Sequence, residues 1–519
     1  MPAKTPQTSR HLEVERKFDV VESTVSPSFE GIAAVAHVEK APTQTLDATY
    51  FDTPAHDLAR NKITLRRRTG GSDAGWHLKL PAGPDARTEV RAPLDASGPD
   101  GNNAVPTELA DVVLAIVRDR PLQPVARITT ERESQVLYDA AGVALAEFSN
   151  DHVTAWSTRG PDDGSDESGA PPTELEWREW ELELLESGGH SNGAAGSELL
   201  NRLSNRLLDA GAAPAGHGSK LARVLGTPPP NGAQPSEDPL QRAIAEQVGE
   251  LLVWDRAVRA DAYDSIHQMR VTTRKLRSLL RDYQDSFGLP DEGWVLDELR
   301  ELAGILGMAR DAEVLAERYE RDLDGLAPEL VRGPVRERLV GGAQRRYQTG
   351  LRRSLIAMRS QRYFRLLDSL EAIAVQTPGA AAAEERAPVT IEAAYKKVRK
   401  AAKAAAQADR ENPGDHHRDE AIHRIRKRAK RLRYTAAATG KATVSERAKA
   451  VQSLLGDHQD SVVSREHLRQ EADIAHAAGE DTFTYGLLYQ READLAQRCR
   501  QELDGTLRKL AKAVRKAGH

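Results

Sequence analysis

Five short segments carry charged side chains two residues apart: Glu13, Glu15 and Lys17 in EVERKF, Arg66 and Arg68 in TLRRR, His77 and Lys79 in WHLKL, Glu89 and Arg91 in TEVRA, and Glu179, Glu181 and Glu183 in REWELEL. Alternate side chains of an extended chain point to opposite faces, so each set shares one face. The other face of the last segment is Trp180, Leu182 and Leu184, the face that packs. A half-buried sheet with a solvated, ion-paired outer face accounts for any one segment. Five with the same habit point instead to one enclosed polar surface holding both signs of charge. Carboxylates at i and i+2 hold Mg²⁺ or Mn²⁺ through hard oxygens, and Arg and Lys grip phosphate. A metal-bound oligophosphate satisfies both sets. The matching chemistry is phosphoryl transfer to water, in which cations neutralise the phosphoryl oxygens while a positioned water attacks in line.

The elements that must position these groups are eight strand-like runs, at 11–20, 45–51, 63–68, 76–80, 88–92, 125–138, 143–153 and 176–185. Their number and spacing predict an antiparallel sheet or barrel, with helical patches at 108–118 and 198–210. The Gly/Pro-rich stretch 226–239 is a domain boundary, and 160–172 and 377–388 are further breaks. Beyond the boundary the pattern is almost wholly helical. A chain of 519 residues exceeds one ordinary core. The lone Cys499 excludes an intrachain disulfide and a cysteine zinc site, which favours a reducing cytoplasm. No uncharged apolar run approaches 18 residues, so neither secretion nor membrane spanning is expected. No P-loop or Rossmann glycine pattern opens a helix. Residues 1–240 hold 23 Lys and Arg against 36 Asp and Glu, whereas residues 241–519 hold 50 against 42, so the first part is acidic and the second basic. A polyanion is the expected partner of the second part.

That second part contains an internal duplication. His267, Arg270, Arg274 and Arg277 stand at offsets 0, 3, 7 and 10, and His423, Arg426, Lys430 and Arg433 repeat those offsets 156 residues later. The apolar seams coincide as well, Ile266, Met269, Thr273, Leu276 and Leu280 against Ile422, Ile425, Ala429, Leu432 and Ala436. Each is an amphipathic helix with a packing seam and an adjacent cationic stripe, and each precedes an LGxxxD string, at 306–311 and 455–460. Two pseudo-symmetric bundles of about four helices would place the stripes facing one another across a cleft. Cations with few aromatic residues among them suit a flexible polyphosphate better than stacked bases. Each histidine, set among cations, resists protonation until an anion arrives, so binding is expected to tighten at mildly acid pH.

The ordered motifs of the first part are ExExK at Glu13, Glu15 and Lys17, YFDT at 50–53, LRRR at 65–68, LKLP at 78–81, TEVR at 88–91, an acidic AEFxxD at 146–151, ELEL at 181–184 and SKLAR at 219–223. They resemble the CYTH domain of the triphosphate tunnel metalloenzymes, whose fold is an eight-stranded antiparallel barrel open at both ends. The resemblance implies Glu13, Glu15 and Lys17 as catalytic groups and Glu13, Glu15, Asp151, Glu181 and Glu183 as metal carboxylates. It implies Arg66, Arg68, Lys79, Arg91, Arg132 and Lys220 as phosphate contacts, with Arg127 competing with Arg132 for the tunnel because Glu131 interrupts the basic run.

The helical part, through HQMRVTTRKLRSLL at 267–280, LGMARD at 306–311, HRIRKRAKRLRY at 423–434 and LGDHQD at 455–460, resembles the CHAD domain, a polyphosphate-binding module. That resemblance implies His267, Arg270, Arg274, Arg277, His423, Arg426, Lys427, Lys430, Arg431 and Arg433 as anion contacts.

The expectation is therefore an α+β chain. A CYTH barrel occupies 1–225, a linker 226–239, and a CHAD domain of two pseudo-symmetric four-helix bundles 240–519. The expected function is Mg²⁺- or Mn²⁺-dependent hydrolysis of a triphosphate, inorganic triphosphate favoured, joined to binding of inorganic polyphosphate. The alternatives are a non-catalytic polyphosphate-binding or targeting protein, and an adenylate cyclase or thiamine triphosphatase. A cytoplasmic location associated with polyphosphate granules is expected, with neither membrane nor nucleic acid as a partner.

Overall fold

The computed structural model describes residues 9–96, 104–157, 174–185, 194–226, 239–282, 292–375, 390–411 and 415–517. The expected breaks at 160–172 and 377–388, and 227–238 of the expected linker, lie outside these residues.

The strands are β1 (Ser9–Val20), β2 (His37–Lys40), β3 (Gln44–Asp52), β4 (Thr64–Thr69), β5 (Gly75–Pro81), β6 (Ala86–Ala92), β7 (Gln123–Tyr138), β8 (Ala144–Ser157), β9 (Glu174–Leu184) and β10 (Ala213–Pro214). All eight expected runs are strands. The two unexpected ones, β2 and β10, are too short to show a period of two. Eight strands pair in the antiparallel order β1-β6-β5-β4-β3-β7-β8-β9, and β9 pairs back to β1, closing a barrel. β1 closes the ring by dividing its length, with Ser9 to Val14 facing β6 and Val14 to Val20 facing β9. In this order β3 stands across the ring from β1.

The helices of the barrel region are α1 (Asp57–Arg60), α2 (Thr107–Val112), α3 (Leu114–Val117), α4 (Ala194–Asp209) and α5 (Lys220–Val224). The apolar halves of the alternating strands face outward and are covered by helices. Trp180, Leu182 and Leu184 of β9 pack with Phe18, Phe148 and Leu199, Leu200, Leu203 and Leu207 of α4. Leu65, Trp76, Leu78 and Val90 meet Leu109, Val113, Ile116 and Val117 of the α2–α3 segment. Each such side chain contributes roughly 1.5–3 kcal/mol on burial, which holds the charged faces inward.

The remaining helices are α6 (Pro239–Arg259), α7 (Ser265–Asp282), α8 (Glu292–Asp324), α9 (Gly342–Ala357), α10 (Gln361–Val375), α11 (Ile391–Glu411), α12 (Asp415–Ala438), α13 (Ala442–Ala477) and α14 (Phe483–Ala517). The chain forms two compact units, residues 1–303 with 355–378, and residues 304–354 with 379–519. The first holds the barrel with α6, α7, α10 and the start of α8. The second holds the rest of α8, α9 and α11 to α14.

Within the first unit, ion pairs tie α2 and the residue after α3 to the long helices. Arg118, at φ +59°, pairs with Asp368 and, at 2.6 Å, with Glu371 of α10. Asp111 accepts from Arg259 of α6 at 3.2 Å and from Arg359 at 3.0 Å. In the second unit Ile422, Ile425, Ala429, Leu432 and Ala436 of α12 are buried against Val398 of α11, Val451 and Leu455 of α13 and Leu510 of α14. The matching seam of α7 is buried too. Among the described residues no helix is long and apolar enough to cross a membrane.

Candidate active site in the barrel lumen

Strand alternation delivers the expected side chains to one cavity. It is lined by Glu13, Glu15 and Lys17 of β1, Arg66 and Arg68 of β4, Lys79 of β5, Glu89 and Arg91 of β6, Arg132 of β7, Glu181 and Glu183 of β9, and Lys220 of α5. Asp151 of β8 lies fully buried behind them, held by Arg132 at 2.8 and 2.6 Å and by Lys220 at 2.8 Å. His77 does not reach the cavity. It is buried against Glu89 at 2.8 Å and the Asp73 carbonyl at 2.9 Å, and burial pushes its imidazole down to about 4.

Register separates Arg127 from Arg132. On β7 the even positions Ile128, Thr130 and Arg132 point inward, while Arg127 is 61% exposed and donates to Asp47 outside. Glu131 is also outward and exposed, so it does not interrupt the lumen. Tyr50, Asp73, Arg87 and Ser219 line the cavity as well and were not among the expected residues. Arg87 was legible from its alternation with Glu89 and Arg91. Asp73 and Ser219 lie in connecting segments that carry no period.

The lumen is electrically divided. Glu15 and Glu183 are direct cross-strand partners on β1 and β9, a like-charge pairing that is unfavourable without a cation between them. Burial, only partly offset by Lys79 and reinforced by Glu13 and Glu15, pushes Glu183 up to about 7. Burial likewise raises Glu13 despite the Lys79 ammonium 2.6 Å away. For Glu15 burial is outweighed by Lys17 and Lys79, which hold it at about 2.

Across the ring, Arg66 and Arg68 on β4 and Arg132 on β7 flank β3. Burial and the neighbouring Arg66 and Arg132 push Arg68 down to about 9. The buried Nε atoms of Arg66 and Arg68 have no hydrogen-bond partner among the described residues. Arg66 also donates to the Tyr50 hydroxyl at 3.3 Å, and the cations around that phenol outweigh its burial and lower its pKa. Glu13 and Glu183 thus stay under-compensated on one wall, while on the opposite wall Arg68 pairs with Asp73 and the two arginine Nε atoms have no acceptor among the described residues.

Asp151, Glu179 and Glu181 form a third group, with carboxylate oxygens within 4.8 Å of one another, the span of a metal seat. Here the chain supplies its own cations. Lys220 lies 2.8, 2.8 and 2.7 Å from the three, Arg132 pairs with Asp151 and Glu181, and Lys17 with Glu181. Burial would favour neutral Lys17, but Glu15 and Glu181 outweigh it and keep the ammonium charged. Among the described residues, Asp151, Glu179 and Glu181 are the carboxylates with the spacing to hold a metal ion, whereas Glu13 and Glu183 are those whose burial is not offset by the neighbouring cations.

Leu221 of α5 packs among Ala48, Tyr50, Ala126, Ile128, Val153 and Ala155 of β3, β7 and β8.

The helical stripes are built differently. On α7, Arg270 and Arg277 donate to the Ala303 and Leu296 carbonyls of α8, each at 3.2 Å. His267 stands three residues before Arg270 on that helix, and Arg274 three before Arg277. On α12, His423, Arg426, Lys430 and Arg433 flank the buried seam on the α13 side, where Arg433 donates to Gln452 at 3.3 Å. Gly456 of the LGDHQD string leaves room for this flank, because a Cβ there would stand 3.3 Å from Arg426 Nη2. Arg431 lies on the other flank, with Arg424 and Arg428, and Lys427 is exposed at the crest. Burial, Lys427 and Arg426 lower the His423 imidazole below its ordinary value.

The CYTH domain family matches residues 11–204 and the CHAD domain family residues 242–469. The chain belongs to the CYTH–CHAD proteins. Two uncharacterised proteins of Mycobacterium tuberculosis, from strains CDC 1551 / Oshkosh and ATCC 25618 / H37Rv, are each 71% identical to it over 521 residues, covering 100% of both chains. Among solved structures, PptA from Streptomyces chartreusis covers 53% of this chain and 100% of its own at a TM-score of 0.42 and 20% identity. The CHAD domain from the plant Ricinus communis covers 52% and 90% at 0.37 and 21%. A Hippeastrum protein, described as revealing a dominant triphosphatase activity, covers 41% and 94% at 0.24 and 16%. Lys220 and α5 lie beyond the matched CYTH residues yet complete the CYTH lumen, as α14, beyond the matched CHAD residues, completes the core around α12.

Proposed function

We propose that the CYTH barrel is a metal-dependent triphosphatase, with inorganic triphosphate its favoured substrate, and that the CHAD helices bind inorganic polyphosphate, consistent with a cytoplasmic protein associated with polyphosphate granules. The observation that carries this reading is the opposition of the two walls: under-compensated Glu13 and Glu183 face Arg66 and Arg68, whose buried Nε donors have no partner among the described residues. A metal-bound triphosphate satisfies both at once. Arg66, Arg68, Lys79, Arg91 and Arg132 orient the phosphates, and Lys220 holds the deep end. Lys17 remains an ammonium and so disperses charge instead of accepting a proton. Glu13, Glu15 and Glu183 hold Mg²⁺ or Mn²⁺, with Asp151 and Glu181 beside Glu179 as the second carboxylate group. When bound, the ion neutralises the phosphoryl oxygens and so stabilises charge developing in the transition state.

The test is orthophosphate release from inorganic triphosphate, ATP and thiamine triphosphate with Mg²⁺, with Mn²⁺ and with neither. Metal-dependent release from inorganic triphosphate is expected, falling by about 10²-fold or more in Glu13→Gln with the circular dichroism unchanged. Unchanged turnover in that variant overturns the site. Tight binding of triphosphate with no release under any metal would make the barrel an anion socket of a polyphosphate-targeting protein.

A further inference from the structure

Among the groups that line the lumen, Asp73 is out of place. It is an acid on the arginine side, supplied not by a strand but by residues 70–74, which join β4 to β5. Its carboxylate pairs with Arg68 Nη2, and the Arg68 side chain is 7% exposed against 32% for Asp73. Burial and the neighbouring Arg66 and Arg132 disfavour the charge on Arg68. Asp73 gives that guanidinium an acceptor, at an atom through which a phosphate oxygen would be held.

The joining segment is fastened from three directions. Gly70, at φ +79°, passes so close to the Thr45 carbonyl of β3 that a Cβ there would collide with it. Gly75, the cross-strand partner of Arg68, leaves only 2.8 Å between such a Cβ and the Ala92 carbonyl of β6. The buried His77 reaches back to the Asp73 carbonyl with Nε2 at 2.9 Å, while its Nδ1 lies 2.8 Å from Glu89. The backbone of Asp73 is therefore held by buried groups, whereas its carboxylate sits on a short side chain with one side in water. Such a carboxylate can swing away from Arg68 without unfolding the turn.

We propose that Asp73 is a resident counter-ion of the phosphate site, a carboxylate that holds Arg68 and that a phosphate chain must displace, so that it sets which anions the lumen accepts. This rests on the triphosphate reading of the lumen given above. Displacement trades one ion pair for another at Arg68 and gains little by itself. A single anion held by Arg68 is therefore rejected. A chain of phosphates that also reaches Arg66, Lys79, Arg91 and Arg132 keeps the surplus from those contacts and binds. Asp73 turns out to solvent as the chain takes its place. The residue selects by the number of simultaneous contacts and itself makes none to the chain.

Asp73→Asn keeps the size of the side chain and removes its charge. Titration calorimetry of the full-length protein with Ca²⁺, a hard cation whose looser coordination is a poor stand-in for Mg²⁺ in catalysis, reads binding of inorganic triphosphate apart from its hydrolysis. The substitution should tighten the dissociation constants of triphosphate and of sulfate, a single tetrahedral dianion, by at least about tenfold each. In an Arg68→Gln background the same substitution should change triphosphate affinity by less than about threefold, because the carboxylate has lost its partner. Unchanged or weaker binding of either ligand by Asp73→Asn overturns the inference, and so does an equal tightening in the Arg68→Gln background, which would mark general charge repulsion. Both outcomes leave the triphosphatase standing. Tightening in a protein that releases no orthophosphate with Mg²⁺ or Mn²⁺ upholds the resident carboxylate and overturns the triphosphatase. Absence of triphosphate binding in wild type and variant alike overturns both.

Discussion

The barrel lumen and the CHAD stripes handle the same kind of charge in opposite ways. In the lumen, cations and carboxylates are buried together and aimed at one another, as Lys220 is at Asp151, Glu179 and Glu181. On α12 the cations Lys427 and Arg431 stand in solvent on a helix surface. A buried charge set fixes geometry and selects ligands by shape, because each member is costly to leave unpaired. An exposed set gives a long-range, salt-sensitive attraction with little geometric demand. On the proposed function, the difference is what fits the lumen to chemistry at a bond and the stripes to retention of a polymer.

The largest effect expected from breaking this contrast is at the lumen floor. Lys220→Ala strips three buried carboxylates of a shared ammonium. Triphosphate turnover should fall by about 10²–10³-fold, and metal-free stability by about 3–5 kcal/mol in urea titration. Normal turnover would show that the floor is not part of the site.

A pH series comes next. Glu183 is raised from 4.5 to about 7 in the folded chain, so between those values the folded state binds more protons than the unfolded one. The metal-free protein should therefore lose stability as pH rises across that window, by up to about 3 kcal/mol. Glu183→Gln should flatten the slope, and saturating metal should remove it by compensating the ionised carboxylate. A slope that is the same in the variant would dismiss the under-compensated wall.

For the helices, Arg274→Glu with Lys430→Glu should weaken polyphosphate retention by about ten- to a hundredfold. The slope of log affinity against log salt should become shallower as charge contacts are lost. Retention indifferent to both salt and substitution would sink the polyanion reading.

The smallest effect concerns His423, whose imidazole is lowered by burial and its cationic neighbours. An arriving anion restores protonation, so polyphosphate binding should tighten a few-fold as pH falls from about 8 to 6. His423→Gln should be flat over the same range, which calorimetric titration can read.

Much of the lumen was legible because a strand period of two needs only one strand to be seen. Glu13, Glu15, Lys17, Arg66, Arg68, Glu181 and Glu183 point inward for the same reason that Trp180 and Leu182 point outward. The residues that escaped notice come from places where that rule is silent. Asp73 lies in a turn and Ser219 just ahead of α5, and Tyr50 shares its face with Leu46 and Ala48, which carry no charge to mark it. Arg127 and Arg132 both stand in a clear strand, yet their parity differs, and only the inward Ile128 and Thr130 assign the lumen to Arg132. Arg431 was grouped with the α12 stripe, but helix geometry carries it to the other flank of the seam.

Local alternation and helical repeat by themselves determined which faces are charged, that one region is a sheet and the other a set of helices, and which side chains share each face. Those properties follow from the backbone period and need no partner. Tertiary structure alone decided which faces look at each other. Ring closure sets β1 across from β3, so Glu13 and Glu183 face a wall of arginines, and α5 brings Lys220 and Leu221 from far along the chain to the lumen and its apolar neighbours. Proximity between residues distant in sequence is set by how strands close and segments cross, and no periodicity within a segment encodes it.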